Sequence, residues 1–282
     1  MKLQHTRPSD IENVSMQIIT HELSAAGIFI TGENDAVVKR VIHATADFDF
    51  AKNLVFTNGA VEYGVEALKA HTPVITDTNM ALSGVSKPSL AKLGCEAYCF
   101  MADPDVAERA KAKGTTRAVC AMEYAAKMYP GAVLAVGNAP TALFKIAEQI
   151  REGLRPSLVI GVPVGFVNVV EGKETIWNTC LQYDVPAIVA MGRKGGSTVA
   201  TAILNALLYT ATGTLEPEKK GLELKIRYIQ KNASAFLKRH ARRVSAFHCA
   251  CLRNKNNEAA PIAFLTELKK RSGNLSKKEV GR

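Results

Sequence analysis

A chain of 282 residues is long enough to bury a sizeable core, as one large domain or two small ones. Its net charge of +10 is uneven: residues 1–212 carry 19 Lys+Arg against 20 Asp+Glu, whereas residues 213–282 carry 17 against 6. The basic character therefore belongs to the tail, which removes the ground for a nucleic-acid partner. No apolar window approaches the ~18 residues of a membrane span, and Met-Lys-Leu-Gln-His-Thr-Arg-Pro at the start lacks the apolar core of a signal peptide. The six cysteines, at 95, 99, 120, 180, 249 and 251, are scattered. Cys95-x-x-x-Cys99 is one residue too long for the common redox pair, and no nearby His completes a zinc set. A reducing cytoplasm is expected, with the thiols serving as small buried side chains.

In chain order, Ser9-Asp-Ile-Glu12 reads as a capping box that opens a helix carrying Ile11, Val14, Ile18 and Ile19 on one side. A second helix is expected over residues 34–46, with Val37, Val38, Val41 and Ile42 as its stripe. Leu54-Val-Phe-Thr57 reads as a strand, residues 61–69 as a helix, and Pro73-Val-Ile-Thr-Asp77 as a strand with an acid at its carboxyl end. A short strand within 95–101 precedes helices over 106–113 and 115–128, the latter stopped by Tyr129-Pro-Gly131. Three units then share one grammar, an apolar run, a Gly- or Pro-rich loop and a helix. They are Ala132–Leu143, Ser157–Phe166 and Ala187–Ser197, and the last helix covers 198–209 with Gly213 closing it.

Short β-branched runs that end in glycine and pass into a helix mark parallel strands. The expected fold class is therefore α/β, a single three-layer domain over residues 1–212 with a mainly parallel sheet flanked by helices. The three loops fall at the carboxyl ends of strands, where such sheets bind ligands. Residues 213–282 form a basic C-terminal extension, partly helical or disordered, with amphipathic candidates at Leu222–Leu237 and Ile262–Leu268 and no assigned function.

Among titratable groups His43 stands out, because Arg40 at i−3 and Asp47 at i+4 are able to share its helical face. A neighbouring carboxylate raises a His pKa and an Arg lowers it, so this setting suits either a proton donor near neutrality or a His that merely pairs with Asp47. Gly192-Arg-Lys-Gly-Gly-Ser197 brings Arg193, Lys194, Gly195 and Gly196 to a helix start, a pattern that turns N–H groups toward an anion. It is not a Walker loop, and no G-x-G-x-x-G is present, so a carboxylate ligand fits better than a nucleotide. Asn138 and Thr141, beside Pro140, either cap the following helix or meet a ligand. Arg117 sits early in its helix, where the dipole disfavours a cation unless an acid or a bound anion pairs with it. No H-E-x-x-H, Cys/His set or carboxylate cluster points to a resident metal.

Arg40-Val-Ile-His43, Gly-Asn-Ala-Pro-Thr-Ala-Leu at 137–143, Gly-Val-Pro-Val-Gly-Phe-Val at 161–167 and Gly-Arg-Lys-Gly-Gly-Ser at 192–197 together resemble the precorrin-8X methylmutases, also called cobalt-precorrin-8 methylmutases, over about 8–209. The resemblance implies a cofactor-free isomerisation in cobalamin biosynthesis, in which a methyl group moves between adjacent carbons of a corrinoid ring to give hydrogenobyrinate or cobyrinate; any cobalt belongs to the substrate. It implies His43 as general acid, places Ser15 and Arg117 where the family contacts substrate, and gives Arg117, Lys173, Arg193, Lys194 and the amides of Gly195 and Gly196 a role as anchors for substrate carboxylates; Arg40, Asn138 and Thr141 complete the expected substrate-binding set. It further implies a homodimer with the site near the subunit interface; transient contact with other enzymes of the pathway is a separate expectation. Two departures stand out: Glu171-Gly-Lys-Glu174 replaces the family's frequent Glu-Ser-Lys-Glu, and the tail beyond 213 matches no familiar pattern. The rival readings are a non-catalytic tetrapyrrole carrier and a nucleotide-dependent α/β enzyme.

Overall fold

The structure is a computed structural model that describes residues 8–30 and 32–214. The tail candidates at Leu222–Leu237 and Ile262–Leu268, Cys249 and Cys251, and the side chain of Ser9 lie outside the described residues.

Helices α1 (Pro8–Ala25) and α2 (Asn34–Thr45) lead through α3 (Phe50–Asn53) into strand β1 (Leu54–Phe56). Then follow α4 (Ala60–Lys69), β2 (Val74–Thr76), α5 (Asn79–Gly84), α6 (Lys87–Leu93), β3 (Ala97–Tyr98), α7 (Pro104–Lys113) and α8 (Arg117–Met128). The last six elements are β4 (Val133–Val136), α9 (Pro140–Arg151), β5 (Leu158–Gly161), α10 (Val169–Gln182), β6 (Ala187–Ala190) and α11 (Ser197–Thr212). Gly213 ends α11 in the left-handed region, with φ of 66°.

The expected three-layer α/β architecture is observed. Within each central strand, alternate residues face opposite layers. Val133, Ala135, Leu158, Ile160 and Ile188 pack with α1, α2, α4 and α11, whereas Leu134, Val136, Val159, Ala187 and Val189 pack with α8, α9 and α10. Burial on both faces explains why these strands read as continuous apolar runs. Helices α3, α5 and α6 were not expected, because none is long enough to carry a periodic stripe. Two of them have caps the sequence does contain: Thr78 accepts from the Ala81 N–H, and Ser86 accepts from the Ser89 N–H with Pro88 in the first turn.

The strand order is β1-β6-β5-β4-β2-β3, parallel throughout except for β1 at one edge. From β2 the chain moves outward to β3, then returns to lay β4 on the other side of β2. This makes β2/β4 the point where the winding reverses and the carboxyl ends open a crevice. The antiparallel β1 has a second consequence. Its first residue, Leu54, pairs with Ala190 at the carboxyl end of β6, so the α2–α3 segment just before it reaches the same edge as the three loops.

One buried carboxylate secures the crevice. Asp77, directly after β2, accepts from the N–H of Gly137 through Oδ1 and from the N–H groups of Asn138 and Ala139 through Oδ2, each at 2.8 Å. Its own N–H donates to Ala135 at 3.1 Å. It thereby does from a neighbouring strand what an N-cap side chain does locally for α9, whose first residue, Pro140, has no N–H. Burial raises the Asp77 pKa above the ordinary carboxylate value, and the three N–H donors pull it back down. Asp77→Asn sets an amide NH2 against backbone N–H donors. It is expected to destabilise the protein by at least about 2 kcal/mol, read as a lower denaturant midpoint with unchanged slope.

Candidate active site

His43 lies in the last turn of α2, half-buried, and its Nδ1 is 2.7 Å from the Ser15 hydroxyl of α1. Three residues earlier on each helix, Arg40 donates to Glu12 at 2.5 Å. The two contacts form successive rungs between α1 and α2, and they fix the imidazole from one side. Beside them is a mostly apolar cleft of about 350 Å³, lined by Ile11, Ser15, Ile18, Ile42, His43 and Phe48. With Nδ1 engaged, Nε2 is the ring nitrogen left without a partner among the described residues.

The expected pairing of His43 with Arg40 and Asp47 is corrected by this geometry. Arg40 is held by Glu12, and its guanidinium lies 5.0 Å from the centre of the Tyr209 ring, so it supports the helix pair rather than facing a ligand. Asp47 points away from His43 to the Lys194 ammonium at 2.7 Å, and Asp49 meets the same ammonium at 2.6 Å. The helix ends at Thr45, and Ala46 takes φ of 53°, which turns Asp47 off the helical face that i+4 spacing assumed. The Lys194 hydrogen bond holds the Asp47 carboxyl below its usual range. Lys194 is thus already paired, and it ties the 192–196 loop to the turn just after His43.

That loop crosses the carboxyl edge of the sheet from β6 over β5 to β4. Gly196 takes φ of 128° and donates its N–H to the Val162 carbonyl at 2.8 Å, so this amide is not available to an anion as the glycine pattern suggested. At Gly195 an added Cβ would stand 2.2 Å from the Val162 oxygen and 2.7 Å from that of Pro163. At Gly137 it would stand 2.8 Å from the Ser197 Cα. The glycines are therefore required where the three loops press backbone on backbone. Ser197 closes the set with a 2.8 Å hydroxyl–hydroxyl bond to Thr78.

Lys173 is a second correction. Expected among the substrate contacts, it is completely buried in α10 and donates at 2.8 Å to the carbonyls of both Gly192 and Lys194. Burial lowers its pKa to about 8. Its location follows from helix spacing: Val169, Lys173 and Ile176 share the buried face of α10, so the side chain extends under the loop instead of out to solvent.

Of the remaining candidates, Asn138, Thr141 and Arg117 occupy the β4 side of the crevice and Arg193 the β6 side. Asn138 is exposed, with its backbone N–H on Asp77, and its side chain makes no cap bond to α9. Thr141 is half-buried and bonds the Thr116 hydroxyl, the N-cap of α8, at 3.0 Å. Arg117 follows Thr116, exposed, with no ion-pair partner among the described residues. Its awkward position at a helix start is not explained by an acid. Arg193 is exposed and lies 5.5 Å from the centre of the Phe166 ring, which is itself 83% exposed. The residue that sequence reasoning undervalued is Asp77, whose signal was an acid at the end of an otherwise apolar strand.

Among the described residues no group of three or more His, Cys, Asp or Glu is placed to hold a metal ion, and no helix is long and apolar enough to cross a membrane. Cys95, Cys120 and Cys180 are buried and Cys99 half-buried, all as free thiols.

A half-buried His, an apolar cleft and exposed arginines along the carboxyl edge of a doubly wound sheet define the candidate site of an α/β enzyme. Comparison with known proteins makes this specific. The chain belongs to the precorrin-8X methylmutase family, whose profile matches residues 10–210. It is 45% identical over 206 residues to the cobalt-precorrin-8 methylmutase of Leptospira interrogans, covering 71% of this chain and 92% of the relative. It is also 42% identical over 207 residues to that of Salmonella typhimurium, covering 72% and 95%. The crystal structure of the Thermus thermophilus precorrin-8X methylmutase superposes with a TM-score of 0.64 at 40% identity, covering 72% of this chain and 98% of that one. The chain is thus an enzyme of the isomerase class, a methylmutase.

Gly195→Ala is expected to lower thermal stability by about 1–3 kcal/mol through overpacking, and more than Gly192→Ala, where φ is 74° but nothing lies within 4 Å of the added atom. Because the folded Lys173 binds its proton more weakly than the unfolded one, the burial penalty is fully present below about pH 8 and fades as pH rises to the ordinary lysine value near 10.5. Wild type should therefore gain stability relative to Lys173→Met across that window in denaturant titrations at stepped pH.

Proposed function

We propose that this chain converts precorrin-8X or cobalt-precorrin-8 to hydrogenobyrinate or cobyrinate, with His43 as the general acid. The observation that carries the reading is the Ser15–His43 contact at the wall of an apolar cleft. In the imidazolium both ring nitrogens are donors. Nδ1–H donates to the Ser15 oxygen, and Nε2–H is left for the macrocycle. Protonation makes the ring system electron-poor, the methyl group shifts between adjacent ring carbons, and a proton returns to the imidazole, so atoms and charge balance over the cycle. Positioned proton transfer supplies about 10²–10⁴-fold, and the rest falls to holding the ring in a reactive shape.

The substrate's acetate and propionate groups give Arg117 and Arg193 their partners, and its apolar ring edges suit the cleft. In this reading any cobalt is part of the substrate, and the protein works as a cytoplasmic homodimer. The half-exposed Ile11 and Ile18 on α1, beside the cleft, support a second copy covering that face.

The test is an absorbance time course with each substrate for wild type and His43→Ala. Turnover by wild type and a loss of at least about 100-fold in the variant are expected. Tight binding by both proteins with no spectral conversion would support a carrier instead.

A further inference from the structure

We propose that Lys173 is a positioning residue for substrate binding, which turns the backbone amides of Arg193 and Gly195 outward by gathering the Gly192 and Lys194 carbonyls onto one buried ammonium. The inference rests on the reading of the site as one that takes a carboxylate-bearing corrinoid.

Peptide planarity sets the geometry. In a trans peptide the C=O of one residue and the N–H of the next point in opposite directions. The Gly192 and Lys194 carbonyls both point to the Lys173 Nζ at 2.8 Å. The N–H groups of Arg193 and Gly195 must therefore point away from it. Neither has an acceptor among the described residues, although the neighbouring amides are used: Gly196 donates to Val162 at 2.8 Å, and Gly165 donates to the Arg193 carbonyl at 3.3 Å. The loop thus alternates, with one peptide's carbonyl turned in, the next bonded sideways to the 163–168 loop, and the third turned in again.

Burying a lysine completely is costly, and no carboxylate lies within ion-pair distance of Lys173 among the described residues. A methionine would fill the same volume without that cost but would leave two carbonyls unpaired and the loop free to rotate them. With lysine in place, the cation sits behind two peptide units whose positive ends face outward, beside the exposed Arg193 guanidinium. An arriving carboxylate supplies the missing counter-charge, with Lys173 acting through the loop rather than by contact.

The experiment uses the full-length protein with Lys173→Met and Lys173→Gln, titrated with hydrogenobyrinate and followed by absorbance, alongside kcat and KM for the conversion. Hydrogen exchange of the Arg193 and Gly195 amides is measured in the wild type with and without that compound. In Lys173→Met, Kd and KM are expected to rise about tenfold or more while kcat at saturation stays within about threefold; Lys173→Gln, which keeps a donor, recovers part of the affinity. Both amides should exchange rapidly in the free wild type and slowly once it is saturated.

Unchanged binding in Lys173→Met, a loss in kcat with KM unaltered, or amides already protected in the free protein would each overturn the proposal. If the methionine variant fails to fold, the glutamine variant and the wild-type exchange decide. If the wild type binds no corrinoid, the functional reading fails, and exchange in the free protein still tests the geometry.

Discussion

Three backbone N–H groups converging on the buried carboxylate of Asp77 hold the crevice open in one shape, and the site is built outward from that contact. Asp77 stands where the winding of the sheet reverses, so fixing Gly137, Asn138 and Ala139 to it fixes the start of α9 relative to β2. The loop held in this way provides the floor against which Ser197 packs. Across the edge a second buried charge, of opposite sign, holds the 192–196 loop in the same manner, as Lys173 collects two of its carbonyls. Each charge is met by peptide groups rather than by the other. Each is expensive to bury alone and stable only while its loop keeps one conformation, and that gives the site its rigidity.

His43, the proposed general acid, reaches this edge by a different route. Because β1 runs antiparallel to β6, the chain before it arrives at the carboxyl ends of the other strands, bringing α2 and the Asp47–Asp49 turn with it. Lys194 bridges that turn to the loop, and the Ser15–His43 and Arg40–Glu12 rungs brace the helix from α1. The chain through residues 43–49 and the Lys194 bridge thus join the histidine end of α2 to the 192–196 loop. An apolar cleft lies at one end and exposed arginines toward the other, and the proposed corrinoid reading rests on that arrangement.

Much of this was legible in the residues. The layer architecture followed from apolar runs ending in glycine, since strands buried on both faces have no polar alternation to obscure them. The four motifs identified the family; one lies on α2 and the other three on the loops that meet. Individual partners were harder to read. Helical spacing put Asp47 beside His43, but the left-handed turn at Ala46 breaks the helix between them. Lys173 looked like a solvent-facing anchor, because lysines usually are; its burial depends on what α10 packs against, and that is a tertiary fact. Asp77 bonds residues about 60 positions away, beyond any local pattern. The short helices α3, α5 and α6 had no periodicity to announce them, and only α5 and α6 had side-chain caps.

The central claim is that the His43 cleft and the Asp77-held crevice form one site. The direct measurement is an NMR titration of the wild type with hydrogenobyrinate, following the His43 ring together with the Asn138 side-chain amide. Both sets of resonances are predicted to shift along a single saturation curve with one stoichiometry. Movement of His43 with Asn138 unaffected, or two curves with different midpoints, would contradict it.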